Sequence, residues 1–107
     1  MPKYLWQVTY STTGAAGLQK EGGSARRDAV TRMVESIGGT VESCHFALGS
    51  HDMFVIGTLP DNIAAAALSI RTAAEGAARS ESITLLTPEE IDEAVNRRTD
   101  YRKPGAE

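Results

Sequence analysis

The sequence predicts an α+β sandwich: a four-stranded antiparallel sheet with two helices over one side and an extra helix at the C-terminus. Three observations predict it. Strand-like and helix-like runs follow one another as βαββαβ within 107 residues, room for one domain. The helical runs carry an apolar stripe on one side, the mark of helices that cover something. Right-handed crossovers then put both helices on the same face of the sheet. The composition agrees, since 41% hydrophobic residues suffice for a core hiding roughly two-thirds of the unfolded surface at this size.

Residues 3–10, KYLWQVTY, are aromatic and β-branched and read as the first strand. The segment 11–24, STTGAAGLQKEGGS, is glycine-rich and reads as a loop with room for one helical turn around Ala15–Gln19. Ser24 is placed as a helix N-cap, with Asp28 in the first turn where negative charge suits the helix dipole. Val30, Met33, Val34 and Ile37 then repeat at helical spacing, and Gly38-Gly39 ends the helix. Two strands follow, 40–48 and 52–59, joined by a turn at Gly49-Ser50-His51. Asp61 or Asn62 caps the next helix, whose apolar stripe is Ile63, Ala66, Ala67, Ile70 and Ala74, and Gly76 ends it. Residues 79–86, RSESITLL, form the fourth strand. Thr87, Pro88 and Glu90 make a capping box for the last helix, with Leu86 and Ile91 as a hydrophobic staple. The domain therefore spans 1–98, and the polar tail 99–107 has little to bury. This order of elements is ferredoxin-like.

Charge and composition narrow the function classes. Eleven Lys+Arg against fourteen Asp+Glu give a net charge of −3, which argues against a generally basic nucleic-acid binder. One cysteine, Cys44, excludes a disulfide framework and a cysteine-based zinc cage. No apolar run approaches the ~20 residues of a membrane span, and the first residues lack a signal peptide's apolar stretch. The expectation is a cytoplasmic protein with no cofactor, no metal, no nucleic acid and no membrane among its partners.

A turn centred between Ser50 and His51 sets Leu48 opposite Met53, Phe46 opposite Val55 and Cys44 opposite Gly57, all under the helices. The helix-free face then carries Ser43, His45, Ala47, Phe54, Ile56 and Thr58. Tyr4, Trp6, Val8 and Tyr10 belong to the core. Leu5, Gln7 and Thr9 join the free face, together with Thr84 and Ser82 from the fourth strand. Such a face is roughly 300–400 Å² in projection, at the upper end of apolar patches on monomers. A homodimer or higher oligomer is expected to cover it, with a pocket between the facing sheets.

The segments GSHD (49–52) and MFVIGTLPD (53–61), with PKYL at the start, KEGGSARR before the first long helix and LLTPEE near the end, resemble the GYD-domain family. The resemblance covers about residues 1–95 and implies a ferredoxin-like fold of the dimeric α/β-barrel type. His51 stands where the family name expects Tyr, and Thr58 where many members have Glu. It implies fold and assembly more than activity.

His45 is the leading candidate for acid–base chemistry, beside Gln7, Thr9 and Thr58 on the free face. The alternative is a half-buried histidine satisfied by a neighbouring hydroxyl or amide. Gly49, His51 and Asp52 form the turn motif. Asp52 either orients the His51 imidazole toward a ligand or accepts backbone N–H groups that fix the turn. Gly22-Gly23-Ser24 with Arg26 and Arg27 resembles an anion cradle, or simply leads into a helix. Cys44 reads as a core thiol, and Arg97, Arg98, Arg102 and Lys103 as a solvated tail. The function expected is an oligomeric small-molecule-binding module, with Gln7, Thr9, His45, Phe54, Ile56, Thr58 and Thr84 lining the pocket. The alternatives are a cofactor-independent isomerase or monooxygenase using His45, and an assembly subunit without ligand.

Overall fold

Alternation along β1 (Lys3–Tyr10) sets the two sides of the sheet. In the computed structural model, which describes residues 1–106, Tyr4, Trp6 and Val8 are buried on one side, and Leu5, Gln7 and Thr9 occupy the other. β1 pairs antiparallel with β3 (Met53–Thr58) and with β4 (Ala78–Leu85), and β3 pairs with β2 (Thr40–Phe46). The order β2-β3-β1-β4 is ferredoxin-like. Helices α2 (Gly23–Glu35) and α3 (Asn62–Glu75) supply Val30, Val34, Ala65 and Leu68 to the core, beside Met53, Val55 and Leu59.

The segment read as a loop is instead a helix, α1 (Thr12–Glu21). Its glycines mark close approach rather than irregularity. A Cβ on Gly14 would stand 1.9 Å from the Ala77 carbonyl oxygen. Ser11 caps the helix, accepting from the Gly14 N–H at 3.2 Å and donating to the Gly76 carbonyl at 2.8 Å. Gly22, at φ 84°, joins α1 to α2, so Ser24 lies inside α2 and is not its cap, and Asp28 lies beyond its first turn.

The apolar stripe expected on α3 faces outward. Ile63 is 80% and Ile70 68% exposed, while Ala65 and Leu68 are buried. Polar contacts explain the rotation: the Tyr4 hydroxyl donates to Asn62 Oδ1 at 2.6 Å, and the Ser69 and Ser82 hydroxyls meet at 3.2 Å. With alanine on nearly every side, the helix has no unique apolar face for a pattern to find. The predicted ends hold: Asp61 accepts from the Ala64 N–H at 2.9 Å, and Gly76 is left-handed at φ 77°.

The β2–β3 hairpin pairs two residues away from the expected register. Phe46 faces Met53, Cys44 faces Val55 and His45 faces Phe54. The loop 48–51 is closed by the Ala47 N–H donating to the Asp52 carbonyl at 2.9 Å. An even shift preserves which side each residue takes. It nevertheless moves Leu48 out of the core into the turn, 107% exposed, and leaves Phe46 at the strand end, 42% exposed, against Gly23. An irregularity between Val41 and Ser43 restores Val41 opposite Gly57 and Thr40 opposite Thr58.

In β4, Thr84 pairs with Tyr4 and Ser82 with Trp6. Residues directly opposite in an antiparallel pair share a face, so Thr84 and Ser82 lie on the helix side and not on the free face. Arg79, Glu81 and Ile83 take their places opposite Thr9, Gln7 and Leu5.

The last helix, α4 (Pro88–Val95), has the expected capping box: Thr87 Oγ1 accepts from the Glu90 N–H at 3.0 Å, and Glu90 Oε1 accepts from the Thr87 N–H at 2.9 Å. Leu86 and Ile91, expected as a staple, are both exposed. Among the described residues α4 makes no extended contact with another element, and the molecule measures 60 Å in its longest direction against 31 and 24 Å. Of the tail expected over 99–107, Glu107 lies outside the described residues.

Candidate functional site

Two surfaces are candidates. On the helix-free face, pairing sets side chains in rows across the sheet. One row runs His45, Phe54, Gln7, Glu81, and the next Ser43, Ile56, Leu5, Ile83. Leu5, Gln7, Phe54 and Ile56 are half-buried by their neighbours alone. The structure thus brings Gln7, Thr9, His45, Phe54, Ile56 and Thr58 onto one face, as expected, and removes Thr84 from it. His45 is exposed. Glu81, the carboxylate in its row, is three strand spacings away, about 14 Å. At the sheet edge, Thr58 and Thr40 hydroxyls meet at 2.7 Å.

The turn residues tie the hairpin to β1. Asp52 Oδ2 accepts from the Tyr10 N–H at 2.8 Å, so its backbone partner belongs to the neighbouring strand and not to its own turn. His51 Nδ1 lies 3.2 Å from Thr9 Oγ1, and its ring stands edge-on to Phe54 at 5.9 Å between centroids. It is His51, more than His45, that makes specific contacts on this face. Gly49 is exposed in the same loop.

The anion cradle is partly taken up by the chain's own groups. The Gly22 N–H donates to the Leu18 carbonyl at 2.8 Å, Arg26 pairs with Glu21 at 2.6 Å and Arg27 with Asp28 at 3.2 Å. Cys44 is half-buried, and burial pushes its thiol up, against the opposing field of Arg27. A thiol so placed is a poor nucleophile near neutral pH. Among the described residues no three His, Cys, Asp or Glu side chains converge to hold a metal ion.

The second surface lies on the opposite side of the sheet. Helices α2 and α3 pack on it without extended contact with each other. Between them is a cavity of about 390 Å³. Its walls are mainly apolar: Trp6, Val8 and Val55 from the sheet, Val30, Met33 and Val34 from α2, and Leu68 from α3. Tyr10, Arg26, Arg71, Thr72 and Ser80 complete it. Burial raises the Tyr10 pKa above its ordinary value, with Arg26 opposing. The Trp6 indole Nε1 is buried without a hydrogen-bond partner among the described residues. Alternation along β1 places Trp6 and Tyr10 under the helices. No sequence pattern reports the gap between the helices, because each one's periodicity describes its contact with the sheet alone.

A four-stranded antiparallel sheet in this order, helices on one side and the other side open, defines a small ferredoxin-like α+β domain. Within that class the chain belongs to the GYD domain family, whose model matches residues 4–95. No curated protein and no solved structure matches the chain. No helix among the described residues is long and apolar enough to cross a membrane.

Proposed function

We propose that this GYD domain is a self-associating binding module whose copies pair through their helix-free faces and which holds a small, mostly apolar molecule. The uncovered sheet face carries the proposal: Ile56, Leu5 and Ile83 stand side by side on it, with Phe54 in the next row, and no helix lies over them. The chain exposes 7730 Å² against about 5,800 Å² for a compact monomer of this mass, an excess to which the extended C-terminal arm contributes. Much of what is exposed is apolar: Ile83 on the open face, Ile63 and Ile70 on α3, and Leu86, Ile91 and Val95 along the C-terminal arm. Pairing through the open face would press Leu5, Phe54 and Ile56 of two copies together and enclose Gln7, Thr9, His45 and Thr58 at their edges.

The catalytic alternative rests on His45, and within one chain Glu81 is too far to orient or tune its imidazole. Binding without chemistry is therefore the better-supported reading. Sedimentation equilibrium tests the pairing. The chain should be at least dimeric at micromolar concentration, and Phe54→Glu should weaken association by about 100-fold, because a carboxylate would be desolvated in the contact. A monomeric wild-type chain at that concentration overturns the pairing.

A further inference from the structure

Two copies stacked by their open faces can meet in more than one direction. On the reading that they do pair this way, we infer that His45 of each copy meets the partner's Glu81, which fixes how the faces lie on one another. His45 stands on β2 and Glu81 on β4, the two edge strands, at opposite ends of one row across the open face. Both side chains are exposed, and among the described residues neither takes part in an ion pair. Three strand spacings, about 14 Å, keep them apart within one chain. Only a second copy can bring them together.

Right-angled sheet packing relies on strands that turn from one sheet into the other, and separate chains share none. The aligned arrangement therefore applies, with the sheets about 10 Å apart. A two-fold axis between them then runs either across the strands or along them. Across the strands, β4 lies over β4. Any such placement that sets Ile56 on an apolar neighbour puts Glu81 against the partner's Ile83 or the partner's Leu85. A carboxylate desolvated there has no partner, which is costly. Along the strands, β2 lies over β4 and β3 over β1. Ile56 then packs on the partner's Leu5, Phe54 on the partner's Gln7, and His45 faces the partner's Glu81. An imidazole N–H can donate to a carboxylate whether or not the ring is charged. Symmetry repeats the pair at the other edge, so an apolar centre is closed on both sides by complementary groups.

Sedimentation equilibrium of charge-reversed chains tests this arrangement. His45→Glu sets like charges together at both edges and should weaken association about 100-fold. Glu81→Lys alone should weaken it about 10-fold. The double variant, which restores unlike charges in exchanged places, should return to within about 5-fold of wild type, and less fully at about 1 M sodium chloride. Both positions are exposed in the single chain, and far-ultraviolet circular dichroism checks that each variant is folded. His45→Ala and Glu81→Ala make a second cycle free of repulsion. Each should cost about 10-fold, and the two together no more than either one. Losses that simply multiply in both double variants overturn the His45–Glu81 contact. If Phe54→Glu still separates the copies in that case, the pairing of open faces stands without it. A wild-type chain that is monomeric at micromolar concentration overturns both.

Discussion

Gly14 lies where α1 meets the start of β4, and the 1.9 Å separation between a hypothetical Cβ and the Ala77 oxygen leaves no room for a side chain. Gly14→Ala should therefore destabilise the fold by about 1–3 kcal/mol in chemical denaturation, since backbone must move to admit the methyl group. Tyr10 gives a pH signature. Burial raises its folded pKa above the ordinary 10.0, so the folded state holds the phenolic proton more tightly than the unfolded chain. That contribution is complete below the ordinary value and is lost as pH rises through the folded one. Cys44, raised above 9.0 by burial, acts with the same sign. Urea midpoints should fall on the alkaline side, and Tyr10→Phe should flatten the fall. At this scale the sequence was partly legible. Asp52 could be read as an acceptor of backbone N–H groups, but its partner, Tyr10 in β1, follows from which strand lies beside the hairpin.

Helix α3 shows what periodicity conveys and what it conceals. Its limits were readable because caps are local: Asp61 at one end, a left-handed Gly76 at the other. Its orientation was not, because an alanine-rich helix offers several apolar stripes and the Tyr4–Asn62 and Ser69–Ser82 contacts select among them. Leu68→Ala should cost about 2–5 kcal/mol, as expected for a buried leucine. Ile70→Ala, on the exposed side, should stay within about 0.5 kcal/mol when measured on the monomer. Reversed magnitudes in denaturant titrations would restore the stripe read from the sequence. α1 was missed for a related reason. Gly14 and Gly17 lower helix propensity, and only the approach of Ala77 explains Gly14. The fold order was legible throughout, since strand alternation and crossover handedness need no knowledge of such contacts. The free face was legible except in β4, where Thr84 and Ile83 exchange sides according to a pairing that polar RSESIT does not announce. The cavity was not legible at all, because it is a space between two helices and belongs to neither.

For the whole molecule, an apparent melting temperature that rises with protein concentration is the expected mark of pairing, because association stabilises only the folded state. Ile91→Asp with Val95→Asp, both exposed in the single chain, should leave that dependence weaker if the C-terminal arm adds to the contact, and unchanged if the open faces suffice. The radius of gyration, 17.3 Å against about 13 Å for a compact chain of this length, reflects that arm. Because α4 makes no extended contact with another element among the described residues, its helix is held chiefly by the Thr87–Glu90 box. Its amides should therefore trade their hydrogens with deuterated solvent nearly as freely as an isolated peptide, while those of β1 stay guarded by sheet on both sides. Slowing of that trade in concentrated solution would reveal a neighbour settling on the arm before any change of shape could be measured.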